Sequence, residues 1–446
     1  MSAAFPGAVD SVADERKIGN ADDRASDVPA VVPTRSSDPS SISIEPLASP
    51  FVEHVEISGI IQAEYLRRQI SEDQLADGSG QPLNENRFLL RRARIGVDGE
   101  WRYVGTTMVA GLSTARSSKS MAFRPINVDI HAQIPSDDHR RPYLLIRAGL
   151  IPVAFGFESY GQSNAERFFG ERSLVVRGFV PGKFDMGASI EGYMWDLHWT
   201  LAIQNGQPID VADFSYGDPN DAKDLSARVR VVEDIFPRLK AAMAVSILRG
   251  TGFSPGTTPT KDTFEWQDLN EDGRVSESEM IPIPGSAGRP SENFSRWGAS
   301  ADAQLWIQIP RLGQAMIYAE IALGSNLDRG VVIADPIFLG RDQRSLGWYG
   351  AFTQALGHWV TVGLRYDRYS PNLDSIDLYG GISVVTVREF HALSGGLSTQ
   401  VDLKDSVSLR LLGEYEGQRN ALGLDTSGKP SHLKNDTFRL RLELIF

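Results

Sequence analysis

Two groups of residues in this chain carry chemistry by their type and spacing. The first is the run Asp268-Leu269-Asn270-Glu271-Asp272-Gly273-Arg274-Val275-Ser276-Glu277-Ser278-Glu279. Its order follows the twelve-residue EF-hand loop. Asp268, Asn270 and Asp272 offer side-chain oxygens at positions one, three and five. Gly273 permits the sharp turn at six, Arg274 offers its carbonyl at seven, and Val275 is the apolar eighth residue. Ser276 serves at nine, directly or through water, and Glu279 closes the sphere with two oxygens at twelve. The run predicts a bound Ca2+ with a structural role. Pro282 and Pro284 leave room for one turn of exit helix at most. An acidic, solvated loop without an ion is the competing reading.

The second group is a set of arginines at alternate positions. Arg92 and Arg94 lie opposite Ala93, Ile95 and Val97, and Arg147 lies opposite Ile146 and Ala148. Arg228 and Arg230 oppose Val229 and Val231. Arg365 and Asp367 oppose Val360, Val362 and Leu364, and Arg439, Arg441 and Glu443 oppose Phe438, Leu440, Leu442 and Leu444. Period two puts such sets on opposite faces of a strand. If the apolar face meets lipid, an arginine turned that way at mid-membrane costs about 2–4 kcal/mol, so these arginines point inward. Inward guanidinium groups attract anions and hold phosphate or carboxylate in a planar fork. A lumen of mixed charge that passes small polar solutes of either sign is the alternative. Arg167, Arg172 and Arg177 join the candidates from segment 152–183, where Glu166, Glu171 and Lys183 also lie. That segment is either a constriction folded into the lumen or an ordinary surface loop.

These side chains need a scaffold of strands, and the chain supplies one. It has 446 residues, a hydrophobic content of 41% and no cysteine. Mean hydropathy is -0.22. No apolar run is long enough for a membrane helix. The formal charge of -12 argues against a nucleic-acid partner. From Val55 onward, short runs rich in Val, Ile, Leu, Tyr and Trp alternate with polar residues. They predict strands near 55–66, 87–98, 101–112, 123–134, 142–151, 184–193, 195–205 and 224–233 in the first half. The second half adds 238–248, 294–306, 311–323, 344–356, 358–367, 384–400, 405–416 and 435–446. The connections alternate long and short, with tight turns expected at Gly99–Glu100, Met194, Pro310 and Gly357. Trp101, Tyr143, Tyr193, Trp195, Trp306 and Trp359 sit at or beside the short turns, where a membrane boundary favours aromatic rings. The chain closes on a strictly alternating segment ending in Phe446.

The expected fold is therefore all-β: a transmembrane antiparallel β-barrel of about sixteen strands in a bacterial outer membrane. A soluble all-β fold is the rival. Residues 1–53, rich in Ser, Pro, Asp and Ala, read as a disordered N-terminal arm, 54–446 as the barrel, and 249–293 as a long extracellular loop bearing the calcium motif. Met1 to Asn20 lacks the apolar run of an export signal. Either the start lies upstream or a signal has been removed; a cytosolic protein competes with both.

The run Phe88-Leu89-Leu90-Arg91-Arg92-Ala93-Arg94-Ile95-Gly96-Val97-Asp98-Gly99 resembles the second-strand motif of the phosphate-selective porin O and P family. Leu150-Ile151-Pro152-Val153-Ala154-Phe155-Gly156, and Glu171-Arg172-Ser173-Leu174 followed by Phe184-Asp185-Met186-Gly187, are similar to its later signatures. The resemblance runs from about Val55 to Phe446. It implies a homotrimer of sixteen-stranded channels whose arginines and lysines guide anions to a constriction. The chain departs from it in one respect: segment 152–183 is not rich in lysine.

No catalytic motif emerges. The histidines His54, His131, His139, His198, His358, His391 and His432 form no metal pair at helical spacing and no nucleophile motif. The expectation is a non-enzymatic porin for passive diffusion of small hydrophilic solutes, preferring anions such as phosphate. The alternative is a non-conducting surface or adhesion protein anchored by the barrel.

Overall fold

A computed structural model of the chain describes residues 42–44, 54–69, 86–113, 124–136, 142–206, 218–267, 273–379, 382–385, 388–404, 407–424 and 430–446. β-branched, aromatic and polar residues alternate along sixteen strands. They are β1 (His54–Arg68), β2 (Asn86–Glu100), β3 (Val104–Leu112), β4 (Arg124–Ile134), β5 (Leu144–Pro152) and β6 (Phe184–Met194). Next come β7 (Leu197–Gln204), β8 (Asp224–Phe236), β9 (Leu239–Ser254), β10 (Glu292–Ile309) and β11 (Gly313–Ser325). The wall is completed by β12 (Arg344–Leu356), β13 (Val360–Asn372), β14 (Arg388–Lys404), β15 (Val407–Leu424) and β16 (Thr437–Ile445). Each pairs antiparallel with its sequence neighbour, and β16 returns to β1 from Ile60↔Ile445 to Arg68↔Thr437. The ring closes, so its wall has no open edge to satisfy in lipid.

The seam has its own chemistry. Phe446 accepts a bond from Gly59 N at 2.6 Å and donates one to Gly59 O at 3.0 Å. A Cβ on residue 59 would collide with the Phe446 ring, so glycine is what lets the terminal aromatic lie across the first strand. Below that point Ile42–Ile44 pairs with Val55–Ile57 and extends the β16 side of the seam. The rest of the expected N-terminal arm lies outside the described residues.

The exterior carries the apolar half of each alternation. Met243, Val245 and Ile247 are 58–69% exposed on β9, and Leu440 and Leu442 are 43–47% exposed on β16. Tyr103, Tyr143, Trp195, Phe236 and Trp359 project from the short-turn rim. Long connections occupy the other rim. Apolar belt, aromatic girdle and loop parity are those of an outer-membrane barrel, with long loops outside the cell.

Some boundaries move. Trp101 and Tyr103 belong to a turn closed by Trp101 N to Val104 O (2.8 Å), so the first tight turn is not at Gly99–Glu100. Tyr193 faces inward and stacks on His198 at 4.2 Å, and alternation places Trp306 with Asp302 and Gln304 on the lumen side. An aromatic near a turn has two faces to choose from, and its parity decides. The loop expected over 249–293 is shorter, because β9 runs to Ser254 and β10 starts at Glu292. Above the membrane both strand faces are wet, so no apolar alternation marks the strand there. The loop holds a hairpin, Thr263–Trp266 with Met280–Ile283.

Candidate solute pathway

Residues 153–183, between β5 and β6, fold into the barrel. The loop contains a π-helical turn (Phe157–Gly161) and a short helix α1 (Leu174–Phe179) that packs against β12 and β13. Phe155, Phe157, Phe168, Phe169, Leu174, Val175, Val176 and Phe179 form one buried cluster with Tyr318, Tyr349, Tyr369, Phe390 and Leu412 of the wall. Fully burying each large apolar side chain contributes about 1.5–3 kcal/mol, which is what draws a loop rich in charge away from water.

Polar bonds fix its course. Phe157 N donates to Glu320 (3.0 Å), Leu174 N to Asp367 (3.2 Å), Gly170 N to Glu414 (2.6 Å), and Tyr160 bonds Thr200 (3.0 Å). The connection after β11 closes over the same loop. Asp328 accepts from Gly330 N, Val331 N, Val332 N and the Tyr369 hydroxyl, while Arg329 N donates to Gly178 O at 2.9 Å.

Most of the inward arginines are committed to carboxylates. Arg228 holds Asp302 through two bonds of 2.6 and 2.9 Å, and Arg147 lies 3.5 Å from Glu191. Arg365 bonds Asp367 (2.9 Å), Glu158 (3.2 Å) and the Glu171 carbonyl (2.8 Å), with Phe169 stacked on its guanidinium. Arg439 reaches Glu414 and Glu416 at 3.1 and 3.2 Å, and Arg441 reaches Glu64 at 2.8 Å through Nε. Arg230 is buried on the same face. A buried charge without a partner is costly, so Arg147, Arg228, Arg365, Arg439 and Arg441 enter the packed interior with counter-ions.

The arginines of β2 are different. Arg87, Arg91, Arg92 and Arg94 are half-buried and face the loop, where Arg172 and Arg177 are half-buried too. Arg92 donates to Gln62 (2.9 Å), Arg177 lies 3.4 Å from Glu416, and Arg172 donates to the Val180 carbonyl (3.3 Å). Arg91 pairs with Glu171 at 2.7 Å. Burial opposes charge on Glu171, but Arg91, Arg439, Arg92 and Arg441 outweigh it and hold its carboxyl well below the usual range. Arg167 is fully buried against the Phe169 carbonyl and Asn164, and burial lowers it to about 10. Burial, then Arg172, pushes the Lys183 ammonium well below the usual lysine range. Half-buried guanidinium groups thus gather between β2 and the loop, with Glu171 among them.

Alternation alone misses Arg91. Gln62 pairs with Arg92 and Ala63 with Leu90, so Arg91 is the extra residue of a β-bulge. The bulge lets two consecutive arginines face inward. Arg296, bonded to Asp224 at 2.6 Å, and Arg410, bonded to Glu443 at 2.6 Å, are further lumen arginines that the same parity would have found.

Of the calcium motif, Asp268, Asn270 and Asp272 lie outside the described residues. Gly273 adopts φ +76° in open space, so its backbone conformation favours glycine there. Arg274 and Ser276 are exposed. Glu279 is buried and accepts from Ser276 N and Oγ, both at 2.8 Å, ending one 3-10 turn over Glu277–Glu279. A strand follows instead of a helix. Among the described residues no three His, Asp or Glu side chains converge on a metal position.

No protein-family model matches the chain, and no curated protein sequence matches it. Among solved structures it is similar to OmpT of Vibrio cholerae, an outer-membrane protein, at 9% identity and TM-score 0.49, over 90% of this chain and 100% of that one. It is similar to the outer membrane channel DcaP of Acinetobacter baumannii at 10% identity and TM-score 0.49, over 88% and 97%. OprB of Pseudomonas putida gives 10% identity and TM-score 0.49, over 88% and 94%. At these identities and TM-scores nothing about solute or mechanism passes from those proteins to this chain.

Proposed function

We propose that the chain is a passive outer-membrane diffusion channel for small hydrophilic solutes, with a preference for anions. The observation that carries the reading is the inward row Arg87, Arg91, Arg92 and Arg94, all half-buried, whereas Arg228, Arg365, Arg439 and Arg441 are buried in ion pairs. A confined, low-dielectric passage lined by one sign of charge concentrates the opposite ion. Guanidinium forks suit oxyanions, phosphate and carboxylate alike. The resemblance to phosphate-selective porins supports phosphate within that class, and a lysine-poor loop favours the wider class of oxyanions. The same resemblance supports a homotrimer, readable as three times 49.0 kDa when the detergent-solubilised protein is sized.

A second reading rests on the apolar cluster inside the barrel. A lumen filled by its own loop suits a non-conducting surface anchor. Reconstitution in a planar bilayer separates the two. Discrete open levels with an anion-biased reversal potential in a salt gradient support the channel. A silent bilayer supports the anchor.

We also propose that the run Asp268–Glu279 binds Ca2+ and orders the longest outer loop. The left-handed backbone of Gly273 and the buried Glu279 at the end of the run support it. Weak binding is expected, with Kd of about 10⁻⁴–10⁻³ M, as in extracellular modules. Calorimetric titration of the wild type should release heat that Glu279→Gln lacks; equal heats remove the claim.

A further inference from the structure

On the lipid-facing wall, short side chains of β10 lie between long ones of its neighbours. On β10, Ala301 and Ala303 face outward, in register with Val245 and Met243 of β9 and with Ile321 and Ala319 of β11. The result is a groove of about 670 Å³, apolar throughout its outward floor and walls.

A charge stands above the groove on the same outward row, four residues beyond Val245. Following β9 upward, Met243, Val245 and Ile247 lead to Arg249, which is exposed and in register with Trp297. Arg249 lies ten residues beyond Leu239 at the short-turn rim. At about 3.3 Å per residue and a tilt of about 40°, that is about 25 Å, the height of the apolar band. Its guanidinium thus stands at headgroup level on the long-loop side, beside a tryptophan suited to that boundary. Of the other outward arginines at this rim, Arg344 is neutralised by Asp374, Arg368 by Glu389 and Arg419 by Asp436, while Arg67 of β1 is exposed and lies far around the wall from the groove, beside Phe438 of β16. Arg249 has no such partner among the described residues.

We propose that this groove is a binding site for lipopolysaccharide, with an acyl chain along Ala301 and Ala303 and a lipid A phosphate on Arg249. The leaflet follows from the rim: long loops mark the outer face, where this phosphorylated glycolipid resides. Charge complementarity favours it over a second copy of the chain. A partner barrel would have to offer Arg249 an outward carboxylate at the same height, and Asp374, Glu389 and Asp436 are already engaged. An arginine fork on a phosphate supplies directional, charge-assisted bonds that a neutral lipid cannot match. The inference depends on the membrane placement of the barrel and not on conduction.

Native mass spectrometry of the whole protein in detergent tests it, with purified lipopolysaccharide as the probe. The wild type should carry one glycolipid per chain at this site. Arg249→Ala should weaken that binding about tenfold, the value of one charged hydrogen-bonding partner. Ala303→Phe, which fills the floor, should weaken it as much, and Arg344→Ala should not change it. Lipid A stripped of phosphate should bind the wild type as lipopolysaccharide binds Arg249→Ala. Unchanged binding in Arg249→Ala overturns the proposal even if Ala303→Phe fails to fold. Equal affinity for phosphatidylglycerol overturns it in favour of a phospholipid. Loss of oligomer in Ala303→Phe with glycolipid binding intact assigns the groove to a second copy and overturns it as well.

Discussion

The two sides of the lumen use the same residue for opposite ends. Along β8, β13 and β16, arginine is buried, bonded to Asp302, to Glu158 and Asp367, or to Glu64, Glu414 and Glu416, and covered by the inward loop. Along β2, arginine has the same inward parity but stays half-buried and faces the polar side of that loop. Inward orientation is forced on both sets by lipid outside. What separates them is the depth of burial: the first set lies under the apolar face of the loop, while the second stays half-open, Arg91 with its partner Glu171 included. Parity alone assigns an arginine to the lumen; burial decides whether it holds the fold or faces the solute.

Breaking the buried side should have the largest effect. Arg365→Ala leaves Glu158 and Asp367 without their shared counter-ion in a packed interior, a loss of about 3–5 kcal/mol for a broken buried pair. Thermal unfolding of the detergent-solubilised barrel should fall accordingly, and the inward loop should become open to protease. Arg92→Ala, on the exposed side, should leave the unfolding temperature nearly unchanged. Equal destabilisation by both would erase the distinction.

The junction between the two sides is Glu171, and its titration sharpens the comparison. Its carboxyl is depressed in the folded protein despite burial, because Arg91, Arg439, Arg92 and Arg441 surround it. A depressed acid stabilises above its unfolded value, about 4.3 for Glu, and that stabilisation is lost as pH falls through the lower folded value. The loop should therefore hold from pH 7 to pH 5 and loosen only in stronger acid, read as protease sensitivity or current noise. Glu171→Gln should show the loosened behaviour at pH 7 already. Loosening of the wild type near pH 6 would contradict this.

Much of the barrel was legible in the sequence because lipid imposes a period-two rule on every strand. The closing segment from Phe438 to Ile445 shows it most plainly, with Leu440 and Leu442 outside and Arg439, Arg441 and Glu443 within. The interior was less legible. Arg441 meets Glu64 across 377 positions, a pairing no local pattern encodes. Arg91 turns inward through a bulge that shifts the register by one. The segment 152–183 drew attention for its charges, yet Phe155, Phe169 and Val175 are what anchor it, and apolar residues in a loop carry no period to read. Tyr193 and Trp306 sat near turns as expected, but on the inward face.

The most direct measurement is the reversal potential across a salt gradient in a planar bilayer, wild type against the triple variant Arg91→Glu, Arg92→Glu, Arg94→Glu. The expected result is an anion-biased wild type and a reversal that crosses zero to cation bias in the variant, with both proteins folded to the same barrel. A bias that stays anionic after all three charges are inverted would place the selecting charge elsewhere and contradict the division of the lumen drawn from these arginines.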